Sequence, residues 1–329
     1  MIVVVTGSNG FIGSHLVEAL LQQDYHIRCL DIQEARGQSA QDTRIEHYTV
    51  DCGDLDALRQ TQVFEGVDYV FHLAGVSKRV KLEEFRCGNV VTTGNVLQVL
   101  VEKNVRIKRF VYISTQAAAG PASSLDHPVT ELSEPKPIEN YGISKLEAEH
   151  VVRELAARLP VTILRPGTVY GPRDVDFLAV FKQISKHLSV YPAYRTKYVN
   201  ILFITDLVRG MLQAARAPEA IGKTYFLCAD DPVMWQDIHQ GIARVQNKKV
   251  FEINIPQCVV DLIAKVLRDY SKITGYSGLV NSEKIALSRP KFWVCSPERA
   301  KRDFGFETRV PLLQGLETTY RWYVENGWL

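Results

Sequence analysis

Residues 1–31 read MIVVVTGSNGFIGSHLVEALLQQDYHIRCLD, and this stretch decides the fold. Ile2 to Val5 is a short β-branched run, the signature of a buried strand. Gly7, Gly10 and Gly13 follow in a GxxGxxG spacing, and Ile12, Leu16, Val17, Leu20 and Leu21 then recur with helical period. A strand that turns through glycines into a helix aims several backbone N–H groups at one spot, and the helix dipole adds positive potential there. That combination predicts a pyrophosphate site. A Cβ in the turn would block both the phosphates and the packing of helix on sheet. A second strand, His26 to Leu30, runs into Asp31, eighteen residues beyond Gly13. A carboxylate there can accept the two hydroxyls of an adenosine ribose, so the stretch as a whole predicts a dinucleotide site.

Outward from this unit, strands and helices alternate. Strands are expected at Ile45–Val50, Val67–Leu73, Arg109–Ser114 and Val161–Leu164. Helices are expected at Asp54–Gln62, with Asp54 as cap, at Asn89–Lys103 and at Gly142–Leu159. Such alternation predicts an α/β doubly wound parallel sheet covered on both faces. After Gly171-Pro172 the pattern loosens, which predicts a cofactor domain over 1–170 and a smaller α/β substrate lobe over 171–329, with some chain returning to the main domain. In that lobe, helices are expected at 177–186, from a cap at Asp206 to Ala215, and at 232–245. Strands are expected at 198–204, 223–227 and 251–255. Residues 256–270 place Val259, Leu262, Ile263, Val266 and Leu267 on one side and Asp261, Lys265, Arg268 and Asp269 on the other. Packing onto the main domain is the reading adopted for this helix; a lid over a greasy substrate or contact with a membrane surface is the other.

The chain has 329 residues, 46% hydrophobic and 23% charged, enough for a large core. A net charge of +2 without basic blocks argues against nucleic acid as a partner. The six cysteines (Cys29, Cys52, Cys87, Cys228, Cys258 and Cys295) form no CxxC, so neither a disulfide frame nor a metal site is expected. The first residues already form a core strand, leaving no room for a signal peptide, and no apolar run approaches the roughly 20 residues of a membrane span. A cytoplasmic protein is expected.

The chemistry concentrates at Tyr141-Gly142-Ile143-Ser144-Lys145. Positions four apart share a helix face, so the Lys145 ammonium is expected near the Tyr141 phenol, pulling its pKa down from about 10. Such a tyrosine exchanges a proton with an alcohol while hydride moves to or from a nicotinamide. The strand ending FVYISTQAAAG brings Ser114 and Thr115 to the sheet edge where ligands bind.

With these motifs in hand, the chain resembles an extended short-chain dehydrogenase/reductase, the group of NAD-dependent sugar-nucleotide epimerases, dehydratases and 3β-hydroxysteroid-dehydrogenase-like reductases, with a Rossmann-type fold. TGSNGFIGSHL is similar to its cofactor loop, HLAG at 72–75 to the strand along the cofactor, STQAAAG to its S-S/T-x-x-x-Y-G motif, YGISK to YxxxK and RPGTVYGP at 165–172 to the segment beside the nicotinamide. The resemblance implies Tyr141 as acid/base, Lys145 as its electrostatic helper and ribose ligand, and Thr115 as the hydroxyl that orients the substrate oxygen. It implies cofactor contacts from Gly7, Asn9, Gly10, Phe11, Ile12, Gly13, Asp31, Asp51, Cys52, Leu73, Ala74, Gly75, Tyr141, Lys145 and Pro166. Asn89 matches a family Asn near the active site, and helix capping is its alternative role. A homodimer through the helices near 89–103 and 142–159 is implied as well.

Departures from the pattern direct the substrate reading. Ala118 and Ala119 stand where many epimerases carry bulkier residues, often Val-Tyr, and Val199 stands where sugar-nucleotide enzymes carry a phosphate-clamping Arg. Arg195 or Lys197 is the possible substitute. These differences favour the hydroxysteroid-dehydrogenase and dihydroflavonol-reductase branch, and thus an oxidoreductase interconverting a secondary alcohol and a ketone. The alternatives are a nucleotide-sugar epimerase or dehydratase with tightly held NAD, and a cofactor-bound sensor without turnover. Asp31 would repel the extra phosphate of NADP, which favours NAD; Arg36 in the next loop is the residue that could reverse this. Asp174, Asp176, His72 and His187 are read as structural, not as further acids or bases.

Overall fold

The computed structural model describes residues 1–34, 42–79, 81–103, 106–274 and 286–329. Arg36 lies outside the described residues. Strands β1 (Ile2–Thr6), β2 (His26–Asp31), β3 (Ile45–Thr49), β4 (Tyr69–His72), β5 (Arg109–Ile113) and β6 (Val161–Pro166) join the strand Thr224–Leu227 in one parallel sheet. From edge to edge the order is Thr224–Leu227, β6, β5, β4, β1, β2, β3. The chain steps outward from β1 to β3, then returns to the other side of β1 for β4. That reversal opens a crevice at the carboxyl ends of β1 and β4, where open α/β sheets bind ligands.

Alternation along β1 sets the two faces. Val3 and Val5 pack under helix α1 (Phe11–Leu21) with Leu16, Val17 and Leu20. Val4 faces the opposite way, into a core with Val96, Leu97 and Leu100. These last residues belong to a helical run in three parts. α3 (Leu82–Arg86) passes into a π-helical stretch, Cys87–Val91, and then into α4 (Thr92–Lys103). The run therefore begins before Asn89. Asn89 lies inside the π stretch and caps nothing. Helix α2 (Leu55–Gln60) is capped as expected, with Asp54 accepting the Ala57 N–H at 3.0 Å.

Helix α5 (Asn140–Glu154) lies beside α4, and helix α6 (Val175–Ser185) begins at Asp174. Helix α7 (Ile204–Arg216) packs on α1 and on the sheet. Its N-cap is Phe203, not Asp206. Asp206 is buried in the first turn, accepts the N–H groups of Arg309 and Val310 at 2.9 and 3.0 Å, and pairs with Arg209. Its carboxylate thus joins the C-terminal segment to the helix.

The remaining chain forms small sheets. Thr168–Tyr170 pairs with Ile201–Phe203, Leu188–Pro192 with Phe251–Ile255, and Tyr198–Val199 lies between Val233–Met234 and Phe292–Trp293. The single strand expected over 198–204 is thus split at Asn200. That residue donates to the Ala229 carbonyl at 2.7 Å and accepts the Cys295 N–H at 2.8 Å. Helix α8 (Trp235–Val245) packs on the last helix, Leu312–Glu325, and helix α9 spans Gln257–Thr274.

Candidate active site

A cavity of about 730 Å³ opens at the β1/β4 reversal. Gly7, Asn9, Gly10, Asp31, Asp51, Cys52, Leu73, Ala74 and Gly75 line it, with Arg79 and Cys87 at the α3 side. Gly10 is the N-cap of α1. No side chain caps that end, and no acidic residue occupies its first turn. Its backbone donors suit an anion.

The glycines divide the work. A Cβ on Gly13 would collide with the Gly7 carbonyl oxygen, and one on Gly7, at φ +68°, would meet the Ala74 nitrogen at 2.9 Å. Both are packing constraints that bring helix and turn onto the strands. Gly13 does not itself line the cavity, nor do Phe11, Ile12 and Pro166. A Cβ on Gly10 would meet only the Gly7 oxygen, at 3.1 Å.

Asp31 accepts the N–H groups of Asn9 at 2.9 Å and Gln33 at 3.1 Å, which fixes its carboxylate on the cavity wall. Arg28 is turned away, donating to the carbonyls of Gln62, Val63 and Glu65. Burial pushes the Cys52 thiol up to about 12, so it meets a ligand as a neutral apolar group. An uncapped helix end, a wall that admits no Cβ and a carboxylate at the end of β2 fit a dinucleotide.

Thr115, Tyr141 and Lys145 lie outside the cavity lining, at the adjoining end of β5. Glu139 caps α5 with a buried side chain that accepts the N–H groups of Tyr141 and Gly142 at 2.7 and 2.6 Å. This fixes the start of the helix and hence the Tyr141 ring, which lies 6.2 Å, centroid to centroid, from Phe85, with the Thr115 side chain near enough to act on the phenol. Burial, then the Glu139 charge, hold the phenol above its ordinary value, and Thr115 acts in the opposite sense.

The Lys145 amine does not meet the Tyr141 phenol in the way the i, i+4 spacing predicts. It donates to the Ile113 carbonyl at 2.7 Å and sits 4.3 Å from the centroid of the Tyr112 ring. Burial pushes it down to about 7, partly offset by Glu149.

Glu149 is a residue the sequence reading missed. Fully buried, it accepts from the Ser114 hydroxyl at 2.6 Å, from Arg165 Nε and Nη2 at 2.8 and 2.7 Å and from Arg153 at 2.6 Å. Its pKa stays below the ordinary value because these donors outweigh burial. The available signal was its place on α5, one turn beyond Lys145 and two beyond Tyr141. Asn89 ties the cavity to this helix. Its amide bridges both backbone groups of Val76 and donates to Ser144 at 2.9 Å. A π stretch at such a point is a common mark of a functional site.

The other titratable candidates are structural. His72 is fully buried between Thr6, at 2.7 Å, and Thr93, at 3.1 Å, and burial pushes it down to about 3, so it is neutral. Asp174 caps α6 by accepting the Asp176 N–H at 2.8 Å. Among the described residues no group of His, Cys, Asp and Glu forms a metal site.

Fold and cavity together define a dinucleotide-binding doubly wound sheet. Residues 3–228 match the model of the NAD dependent epimerase/dehydratase family, and the chain belongs to that family. It is therefore an enzyme of the extended short-chain dehydrogenase/reductase type. It is 27% identical to the ceramide reductase of Caulobacter vibrioides, over 100% of this chain and 96% of that protein. It is 25% identical to a 3beta-hydroxysteroid-dehydrogenase/decarboxylase (isoform 1) of Arabidopsis thaliana, over 96% of this chain and 78% of the other. The fold matches a UDP-glucuronic acid 4-epimerase from Bacillus cereus, solved with NAD, at a TM-score of 0.79 and 23% identity, over 99% of each chain.

Proposed function

We propose that this enzyme is an NAD-dependent oxidoreductase that interconverts a secondary alcohol and a ketone on a largely apolar substrate. The observation that carries the reading is the juxtaposition of Thr115 and the Tyr141 phenol at the carboxyl end of β5, beside the dinucleotide cavity. A nicotinamide held in the cavity by the α1 N-terminus and Asp31 would supply or take the hydride. Tyr141 holds the proton at its phenol oxygen, and the elevated pKa keeps it protonated at neutral pH, ready to protonate a ketone oxygen as it becomes an alcohol. Thr115 orients that oxygen. Lys145, held to the Ile113 carbonyl, supplies a donor to the nicotinamide ribose.

Support for an apolar substrate comes from Ala118, Ala119 and Val199, all buried, at positions where sugar-nucleotide enzymes of the family carry larger or cationic residues. The full-length likeness to a ceramide reductase points the same way. NAD is favoured over NADP because the Asp31 carboxylate on the cavity wall repels a ribose phosphate. Two copies pairing through α4 and α5 belong to the same reading, and light scattering tests that point.

The test is loss of reduced-nicotinamide absorbance with NADH or NADPH and a panel of long-chain ketones, steroid ketones and UDP- and dTDP-sugars. Ketone-dependent oxidation of NADH is expected. Tyr141→Phe should lower turnover about 10³-fold while leaving NADH affinity nearly unchanged. Conversion of a sugar nucleotide without net change in nicotinamide would replace this reading with the epimerase one.

A further inference from the structure

We propose that helix α9 and the strand before it form a docking face for an anionic lipid bilayer. The helix is not packed as its sequence suggests. Among the described side chains of α9 only Val260 is buried, in a small cluster with Ile255 and Leu267. Val259, Leu262, Ile263 and Val266 fall within about 100° of helical arc next to that cluster. All four are exposed, Leu262 at 62% and Val266 at 60%. Phe251, in the strand leading into α9, is 70% exposed, and Ile253 and Leu188 extend the apolar surface on the paired strands. So many large apolar side chains open to water in one segment mark an interaction surface.

Charge identifies the occupant. Residues 248–291 hold eight Lys or Arg and four Asp or Glu, whereas the rest of the chain has more acidic than basic residues. The acidic groups described here are engaged: Glu252 pairs with Arg195 at 3.1 Å and Asp261 with Arg289 at 3.0 Å. Lys248, Lys249, Lys265 and Lys291 have no acidic partner among the described residues. Lys265 flanks the apolar arc on α9 itself, and Lys248 and Lys249 lie three and two residues before Phe251. An apolar stripe bordered by exposed lysines suits the boundary between acyl chains and anionic headgroups. Among the described residues no helix is long and apolar enough to cross a membrane, so the helix lies on the surface rather than spanning it.

Flotation of the full-length protein with vesicles separates the outcomes. It should rise with vesicles of equal parts phosphatidylglycerol and phosphatidylcholine and stay behind with phosphatidylcholine alone or in high salt. Leu262→Glu with Val266→Glu should abolish flotation, and Lys248→Ala with Lys249→Ala should weaken it about fivefold per lysine. Both pairs are exposed, so circular dichroism and turnover of a water-soluble ketone should match the parent. Absence of flotation by the parent protein overturns the proposal. So does undiminished flotation of the glutamate variant, or a switch of that variant from dimer to monomer in light scattering, which would give the face to a second copy. The inference is independent of the substrate reading, because flotation needs neither cofactor nor ketone.

Discussion

The Glu149 network and helix α9 handle exposure to water in opposite ways. At Glu149 a charge is carried fully into the core, and four hydrogen bonds from Ser114, Arg165 and Arg153 await it. On α9 Val259, Leu262, Ile263 and Val266 stay in water beside a small buried cluster of Val260, Ile255 and Leu267. The first arrangement costs desolvation and returns rigidity beside Tyr141 and Lys145; a half-satisfied version would be worse than none. The second leaves free energy unrealised until something outside the chain covers the face. Parts that must be preorganised are completed within the chain, whereas the docking face is completed by its surroundings.

The sharpest way to break this contrast is Glu149→Gln. It leaves Arg165 buried without its counter-charge and should cost about 3 kcal/mol or more, read as a lower denaturant midpoint. It also removes the charge that partly offsets the burial of Lys145, so the Lys145 amine should titrate below about 7. An unchanged midpoint would show that the network is dispensable. Next in size is Gly13→Ala, whose Cβ collides with the Gly7 carbonyl; about 1–3 kcal/mol of stability should be lost. Gly10→Ala, whose Cβ would press on the Gly7 oxygen at 3.1 Å, should cost less stability than Gly13→Ala and should weaken NADH binding.

Two buried titratable groups should then pull in opposite directions with pH. His72 titrates near 6.5 when unfolded and about 3 when folded, so the unfolded chain binds the extra proton between those values. Stability from this site is complete above pH 6.5 and falls on acidification, by about 2 kcal/mol at pH 5. The drop in Tm between pH 7 and pH 5 should shrink in His72→Gln, whatever that variant's absolute Tm. Asp174 in the second half is raised by burial from 3.8 to about 7, so here the folded chain holds the extra proton. Its contribution is present below about pH 4 and lost as pH rises through 7. Asp174→Asn keeps an acceptor for the Asp176 N–H and should be more favourable at pH 8 than at pH 4, by up to about 4 kcal/mol. Equal effects at both pH values would remove the carboxylate from the argument.

The sequence by itself determined the sheet, the glycine turn, the position of Asp31 and the dinucleotide site, because these follow from short-range rules. A strand, a turn that excludes Cβ atoms and a helix start are each written within a few residues. The neighbouring helix placed Tyr141 and Lys145 on one face for the same reason. Where Lys145 points was decided by tertiary structure, since the Ile113 carbonyl and the Tyr112 ring reach it from another strand. Glu149 became legible only when Arg165 and Ser114 were brought to it from β6 and the end of β5. The start of the helical run before Asn89, the role of Asp206 and the open face of α9 were settled likewise. Each depends on which distant segment supplies or withholds a partner, and local pattern carries no record of that.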